Sequence, residues 1–309
     1  MNPVDNQLLR PLGERGYGAR VVSVEHVSAL RAEIEGRLRQ GELDPEFYQI
    51  RLEWFKFRLP EDLPDAQSLI VVAIPRPSTQ ATFTWNKRRR SLLLPPTYTA
   101  YDGIAQQVGE FVGALLKKKG YRVAKTDLPL KLLAARSGLT QYGRNNIGYV
   151  PGMGSFLQLV AVYSDLPCAK DTWQEPETMP ACEKCQLCRK ACPTGAIPSD
   201  RFLLRAERCI VFHNERPANV PFPAWMNPAW HNCLVGCLRC QRACPVDKQF
   251  IGGIGEQEEF SEKETTLLLN GVPREKLPAE TVRKLDHLSL TEYLEVLPRN
   301  LGVFFPKST

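Results

Sequence analysis

The stretch that decides the reading is Cys182-Glu183-Lys184-Cys185-Gln186-Leu187-Cys188-Arg189-Lys190-Ala191-Cys192-Pro193. Its spacing, C-x2-C-x2-C-x3-C-P, is that of the bacterial run that ligates iron–sulfur clusters through thiolates. In two-cluster proteins the fourth cysteine of such a run binds the other cluster, so a second cysteine group is required downstream. Cys233-Leu234-Val235-Gly236-Cys237-Leu238-Arg239-Cys240-Gln241-Arg242-Ala243-Cys244-Pro245 supplies it. Both groups close on Cys-Pro, as two pseudo-symmetric halves would. Each 4Fe–4S cluster takes four thiolates, and the chain offers ten cysteines. Spacing assigns Cys182, Cys185, Cys188 and the distant Cys244 to one cluster, and Cys192, Cys237 and Cys240 to the other. The last ligand is open between Cys233 and Cys209.

Composition narrows the class. The chain has 309 residues, 43% of them apolar, which is enough for a packed core and excludes wholesale disorder. A net charge of +6 commits to no partner class. A disulfide framework is disfavoured, because no apolar signal stretch opens the chain and the cysteines bunch instead of spreading. Zinc also suits C-x2-C pairs, but the third cysteine in each group and the Cys-Pro endings favour iron. No run approaches the ~18 apolar residues of a membrane span, so a soluble, cytoplasmic protein with no membrane partner is expected.

Around the cysteine groups, periodicity predicts an α+β architecture. Residues 1–60 read as helical and polar-rich, with Val27, Leu30, Ile34 and Leu38 near a helical repeat. The run Leu69-Ile70-Val71-Val72-Ala73-Ile74-Pro75 predicts a strand buried on both faces. Residues 77–97 read as a polar, proline-bounded stretch containing Lys87-Arg88-Arg89-Arg90. A helix over 101–119 is capped by Gly120, and a second helix spans 128–137. Gly138 to Gly154 reads as an ordered loop with special backbone angles, ahead of a second buried strand over 156–163. Residues 165–180 read as a linker, and 260–300 as two or three short helices. The expected domains are therefore 1–165, 166–255 and 256–309.

The linked motifs resemble one family. They are Ala134-Ala135-Arg136-Ser137-Gly138-Leu139 with Gly143-Arg144-Asn145, Gly154-Ser155-Phe156, the first cysteine run with Thr194-Gly195-Ala196-Ile197, Arg208-Cys209-Ile210, and Gly236-Cys237-Leu238-Arg239-Cys240-Gln241. Over roughly residues 60–250 the chain is similar to the epoxyqueuosine reductases, iron–sulfur proteins related to the reductive dehalogenases. The resemblance implies a nitroreductase-like N-terminal domain and a ferredoxin-like domain with two 4Fe–4S clusters. It makes Cys209, not Cys233, the eighth ligand. It implies a corrinoid (cobalamin) as electron acceptor, with Gly138, Gly143, Arg144, Asn145, Gly154 and Ser155 as its floor, and Asp127 as the proton-donating acid of a reductive cleavage or deoxygenation. The expected partners are a low-potential electron donor such as ferredoxin or flavodoxin and a small-molecule substrate or modified nucleoside. Lys184, Arg189, Lys190, Arg239 and Arg242 are candidate contacts for an acidic donor.

Three departures from the family pattern bear on this. The family's Gly-Leu-Gly-Trp-Ile-Gly-Lys-Asn is here Gly138-Leu139-Thr140-Gln141-Tyr142-Gly143-Arg144-Asn145. Asp127 lies about three positions closer to the following motif than in relatives, without the accompanying glutamate; helix capping is its alternative role. The chain ends at Thr309 without the C-terminal helical repeats that help hold tRNA, which weighs against tRNA as substrate. An electron-transfer protein that serves a partner enzyme and binds no corrinoid is the alternative reading.

Overall fold

The computed structural model describes residues 3–306. In chain order its regular elements are α1 (Pro3–Glu14), β1 (Gly18–Ser23), α2 (Val27–Arg39), α3 (Pro45–Arg51), β2 (Ser68–Pro75), β3 (Ser78–Trp85), β4 (Arg88–Leu94), α4 (Tyr101–Lys117), β5 (Val123–Lys125) and α5 (Leu130–Arg136). There follow β6 (Gln141–Tyr142), β7 (Gly148–Tyr149), β8 (Leu157–Ser164), α6 (Leu187–Ala191), α7 (Ile210–Asn214), α8 (Arg239–Arg242), β9 (Ile254–Phe260), α9 (Glu262–Leu269), α10 (Ala279–His287) and α11 (Leu297–Phe304). The mixture is α+β. These elements gather into two interleaved compact units, one of Met1–Pro75, Tyr101–Gln186 and Ile197–Leu204, the other of Arg76–Ala100, Leu187–Ala196 and Arg205–Thr309. The chain leaves and re-enters each unit.

The first unit is built on a fully antiparallel sheet in the order β1-β2-β8-β5. β2 is buried along its length up to Pro75, as its unbroken β-branched run requires when both faces are covered. Val22, Leu30, Leu69, Val71, Leu133 and Tyr163 lie in the core beneath it. α4 buries Ile104, Val108, Val112 and Leu116, one stripe at helical spacing. Gly120 follows at φ +82°, the left-handed conformation that ends a helix at least cost when no Cβ is present. β1 lies within the segment read as helical; its short alternation of Val21 and Val22 with polar neighbours carries little periodic signal. Residues 165–180 are not a free linker. Gln174 N–H donates to Arg136 O at 2.8 Å, and Met179 N–H to Tyr142 O at 2.8 Å. Trp173 stacks on His26 with ring centroids 4.2 Å apart.

The second unit has its own core around a three-stranded sheet in the order β4-β3-β9. The stretch 77–97, read as polar and proline-bounded, forms a β-hairpin. Thr79 through Trp85 pair with Leu94 through Arg88. The turn residues Asn86 and Lys87 both have positive φ, the geometry that matches strand twist in a two-residue hairpin. β9 adds in parallel to β3, and Phe83 stacks on Phe260 with ring centroids 4.8 Å apart. The expected C-terminal helices are α9, α10 and α11. Ser261 and Glu264 form a reciprocal capping box at the start of α9, which fixes where β9 ends. Among the described residues no helix is long and apolar enough to cross a membrane.

Candidate iron–sulfur sites

The first cysteine group begins in the first unit. Thr178 bridges to Tyr142, whose N–H donates to Glu177 O at 2.7 Å, so the approach to the cysteines is paired with β6. A short 3-10 turn, Pro180–Cys182, then presents Cys182, which is buried. Arg144 reaches the same turn. Its main-chain N–H lies 3.4 Å from Cys182 Sγ, and its guanidinium donates to Cys182 O at 2.7 Å, Cys185 O at 2.9 Å and Glu183 O at 3.2 Å. Arg144, expected to face a corrinoid, is therefore committed to the cysteine loop.

The second group lies in the second unit, on short helices and loops. Cys209, Cys237 and Cys240 each lie within electrostatic reach of the Cys192 thiol. Burial, first of all, pushes the Cys209 thiol up to about 12, with Cys237, Cys192 and Glu215 adding to the effect. The same cause raises Cys237 and Cys240. Buried thiols that face one another resist ionising without a cation among them, and thiolate sulfur is the ligand type that iron–sulfur clusters use. This donor set therefore fits a cluster. Cys233 is raised by burial as well, with Cys237 adding to the effect. It is 1% exposed and bridges to Leu93, a place in the sheet-side core. No disulfide joins the described cysteines, and no three His, Cys, Asp or Glu side chains among the described residues surround a single metal-ion position.

A network of side-chain amides holds this second group. Gly236, just before Cys237, has φ +75°, and a Cβ there would lie 2.6 Å from the Tyr98 ring. Asn214 brackets it, donating to Gly236 O at 2.7 Å and accepting from its N–H at 3.3 Å. Asn300 in turn donates to Asn214 O and Leu234 O at 2.9 and 3.0 Å. Arg239 spends its donors on Trp230 O and Ala229 O, at 2.8 and 3.1 Å, and leaves its charge beside Cys237. The Tyr98 hydroxyl donates to the Glu215 carboxylate. Burial and then this carboxylate hold the phenol well above its ordinary range. Tyr98 and Glu215 carry no local motif; only the fold brings them beside the cysteines.

The expected corrinoid floor is ordered, and its groups turn inward. Asn145 is buried, donates to Tyr149 Oη at 2.9 Å and accepts from Ile147 N–H at 3.3 Å. A Cβ on Gly143 would lie 2.5 Å from Asn145 Oδ1 and 2.6 Å from the Tyr149 ring, so this glycine serves the loop's own packing. Gly138, at φ +71°, faces the Gln174 side chain. Gly154 exchanges main-chain hydrogen bonds with Val150, and Ser155 is buried beside it. Of these residues, Arg144 and Asn145 spend their side-chain donors within the protein. Asp127 does not cap α5, whose N-cap is Pro129. Its carboxylate is 44% exposed and accepts from Lys56 Nζ at 2.7 Å, while its carbonyl accepts from Lys56 N–H at 2.9 Å.

Comparison with known proteins agrees with the cluster reading. Residues 181–247 match the 4Fe-4S double cluster binding domain. The epoxyqueuosine reductase of Burkholderia pseudomallei is 27% identical over 254 residues, covering 76% of this chain and 57% of the relative. That of Francisella cf. novicida is 28% identical over 162 residues, covering 52% and 43%. The chain thus spans about half the length of the curated relatives it matches. A solved selenomethionine-labelled epoxyqueuosine reductase superposes with a TM-score of 0.67 at 20% identity, over 97% of this chain and 80% of that one. The fold is shared, and the resemblance read from the motifs holds.

Proposed function

We propose that the chain is an iron–sulfur oxidoreductase that carries two 4Fe–4S clusters and delivers electrons singly to a reductive cleavage or deoxygenation. The observation that carries this reading is the set Cys192, Cys209, Cys237 and Cys240, whose thiols act on one another, inside the segment that matches a double-cluster domain. The second cluster takes those four thiolates. The first takes Cys182, Cys185 and Cys188, completed by Cys244, as the run's spacing directs. Cys209 is preferred over Cys233 because it shares neighbours with the other ligands, whereas Cys233 is built into the core.

The similar proteins' name suggests the substrate class, an epoxide on a modified nucleoside. Reduction of such an epoxide to an alkene consumes two electrons and two protons and releases water. The clusters supply the electrons one at a time, recharged by a low-potential donor such as ferredoxin or flavodoxin, in the cytoplasm. Asp127 is the proposed proton donor, held beside Lys56. Arg144 and Asn145, expected to hold a corrinoid, bond instead within the protein. That observation gives weight to the alternative, electron delivery to a partner enzyme.

One experiment separates the readings. The anaerobically reconstituted, reduced protein is mixed with an epoxyqueuosine-bearing tRNA stem–loop or with the free nucleoside. Oxidation of the clusters in step with loss of the epoxide is expected. Clusters that stay reduced with both substrates, yet discharge into a protein acceptor, would overturn the reductase reading. Cobalamin titration beside it reports whether any corrinoid binds.

A further inference from the structure

We propose that Arg144 is a positioning residue for the first cluster, fixing the Cys182–Cys185 loop through its guanidinium and raising the reduction potential of the cluster held there. The inference rests on the assignment of Cys182 and Cys185 as cluster ligands and goes beyond it. It begins with the backbone. Gly143 lets the chain turn tightly against Asn145 and Tyr149, where any Cβ would collide. β6 pairs with residues 177–179, which brings Arg144, two residues past the strand, alongside the turn at Cys182. Its N–H then points to Cys182 Sγ at 3.4 Å.

The side chain adds two effects. Nε and Nη2 reach three carbonyls of one short loop, those of Cys182, Glu183 and Cys185. A planar fork holds such a set with less loss of freedom than a flexible ammonium, so the spacing of the two cysteines is fixed before iron arrives. These acceptors are neutral carbonyls, so the guanidinium brings a positive charge beside the thiolates. Reduction adds one negative charge to a cluster. A nearby cation and an N–H···S hydrogen bond both favour that state and raise the potential.

The test compares Arg144→Gln and Arg144→Lys in the reconstituted protein, by redox titration monitored by electron paramagnetic resonance and by iron release to a chelator. Arg144→Gln should lower the potential of one cluster by about a tenfold change in its reduced-to-oxidised ratio, about 59 mV for one electron. The other cluster should not move. Arg144→Lys should restore the potential, because it keeps the charge, and still release iron faster, because it lacks the fork. Unchanged potentials in a fully loaded Arg144→Gln protein would overturn the electrostatic role. An Arg144→Lys protein that holds iron as long as the wild type would overturn the clamp. If Arg144→Gln does not fold, the lysine variant's iron-release rate decides. A wild-type protein with fewer than two clusters would instead reject the ligand assignment beneath the inference.

Discussion

Around Cys182 and Cys185 the chain places a cation; beside Cys209 it places a carboxylate. The first loop is held by one residue, Arg144, which takes three carbonyls and brings an N–H to sulfur. The second is held by the amides of Asn214 and Asn300, with Glu215 and Tyr98 hydrogen-bonded beside it. Arg239 puts a positive charge near Cys237, and Glu215 a negative one near Cys209. The same thiolate chemistry thus meets different charged neighbours, a cation at Cys182 and Cys185 and a carboxylate as well as a cation at the second group. Two clusters in such surroundings should not share one potential, because hydrogen bonds, net charge and exposure all set it.

The largest effect expected on this contrast comes from the ligands. Cys209→Ala should retain about half of the wild-type iron, since one cluster loses a thiolate. Cys233→Ala should keep all of it and show only the modest stability loss of a small core cavity, about 1 kcal/mol. Iron and acid-labile sulfide assays check both. Reversed outcomes would move the eighth ligand to Cys233.

Next is the backbone that sets Cys237. Gly236→Ala combines a left-handed φ with contact on the Tyr98 ring, and should cost about 2–4 kcal/mol in denaturant unfolding. A loss below about 1 kcal/mol would mean that Tyr98 moves aside freely. Glu215→Gln keeps a hydrogen-bond acceptor for Tyr98 while removing the charge. It should raise the potential of the second cluster alone by about a tenfold change in its redox ratio. A shift in both clusters, or in neither, would show that the carboxylate does not distinguish them. The smallest structural effect belongs to Asp127→Asn. Its half-exposed pair with Lys56 is worth less than about 1 kcal/mol, so thermal unfolding should hardly change. Turnover with the epoxide substrate should fall about a hundredfold if Asp127 donates the proton.

What the sequence revealed and what it hid follow from the range of the interactions. The cysteine run is a local code, so Cys182, Cys185, Cys188 and Cys192 could be singled out from spacing alone. β2, β8 and α4 were equally legible, because burial on two faces or one stripe leaves a periodic mark on the residues themselves. The β3–β4 hairpin was hidden by a turn built on Asn86-Lys87, without the glycine that usually announces one, and by the arginines of β4. Thr82, Phe83, Thr84 and Trp85 carried a strand signal that the flanking prolines and charges obscured. Arg144 shows the limit most clearly. Its motif pointed to a cofactor loop, but its partners lie 38 to 41 positions away and are main-chain carbonyls that no side-chain pattern encodes. Tyr98 and Glu215, 117 positions apart, were hidden for the same reason.

The most direct test of the central claim is a redox titration of the reconstituted wild-type protein, followed by electron paramagnetic resonance. The account expects two separate one-electron transitions, the upper from the cluster beside Arg144 and the lower from the cluster beside Glu215. A single iron–sulfur transition, or two that coincide, would contradict it.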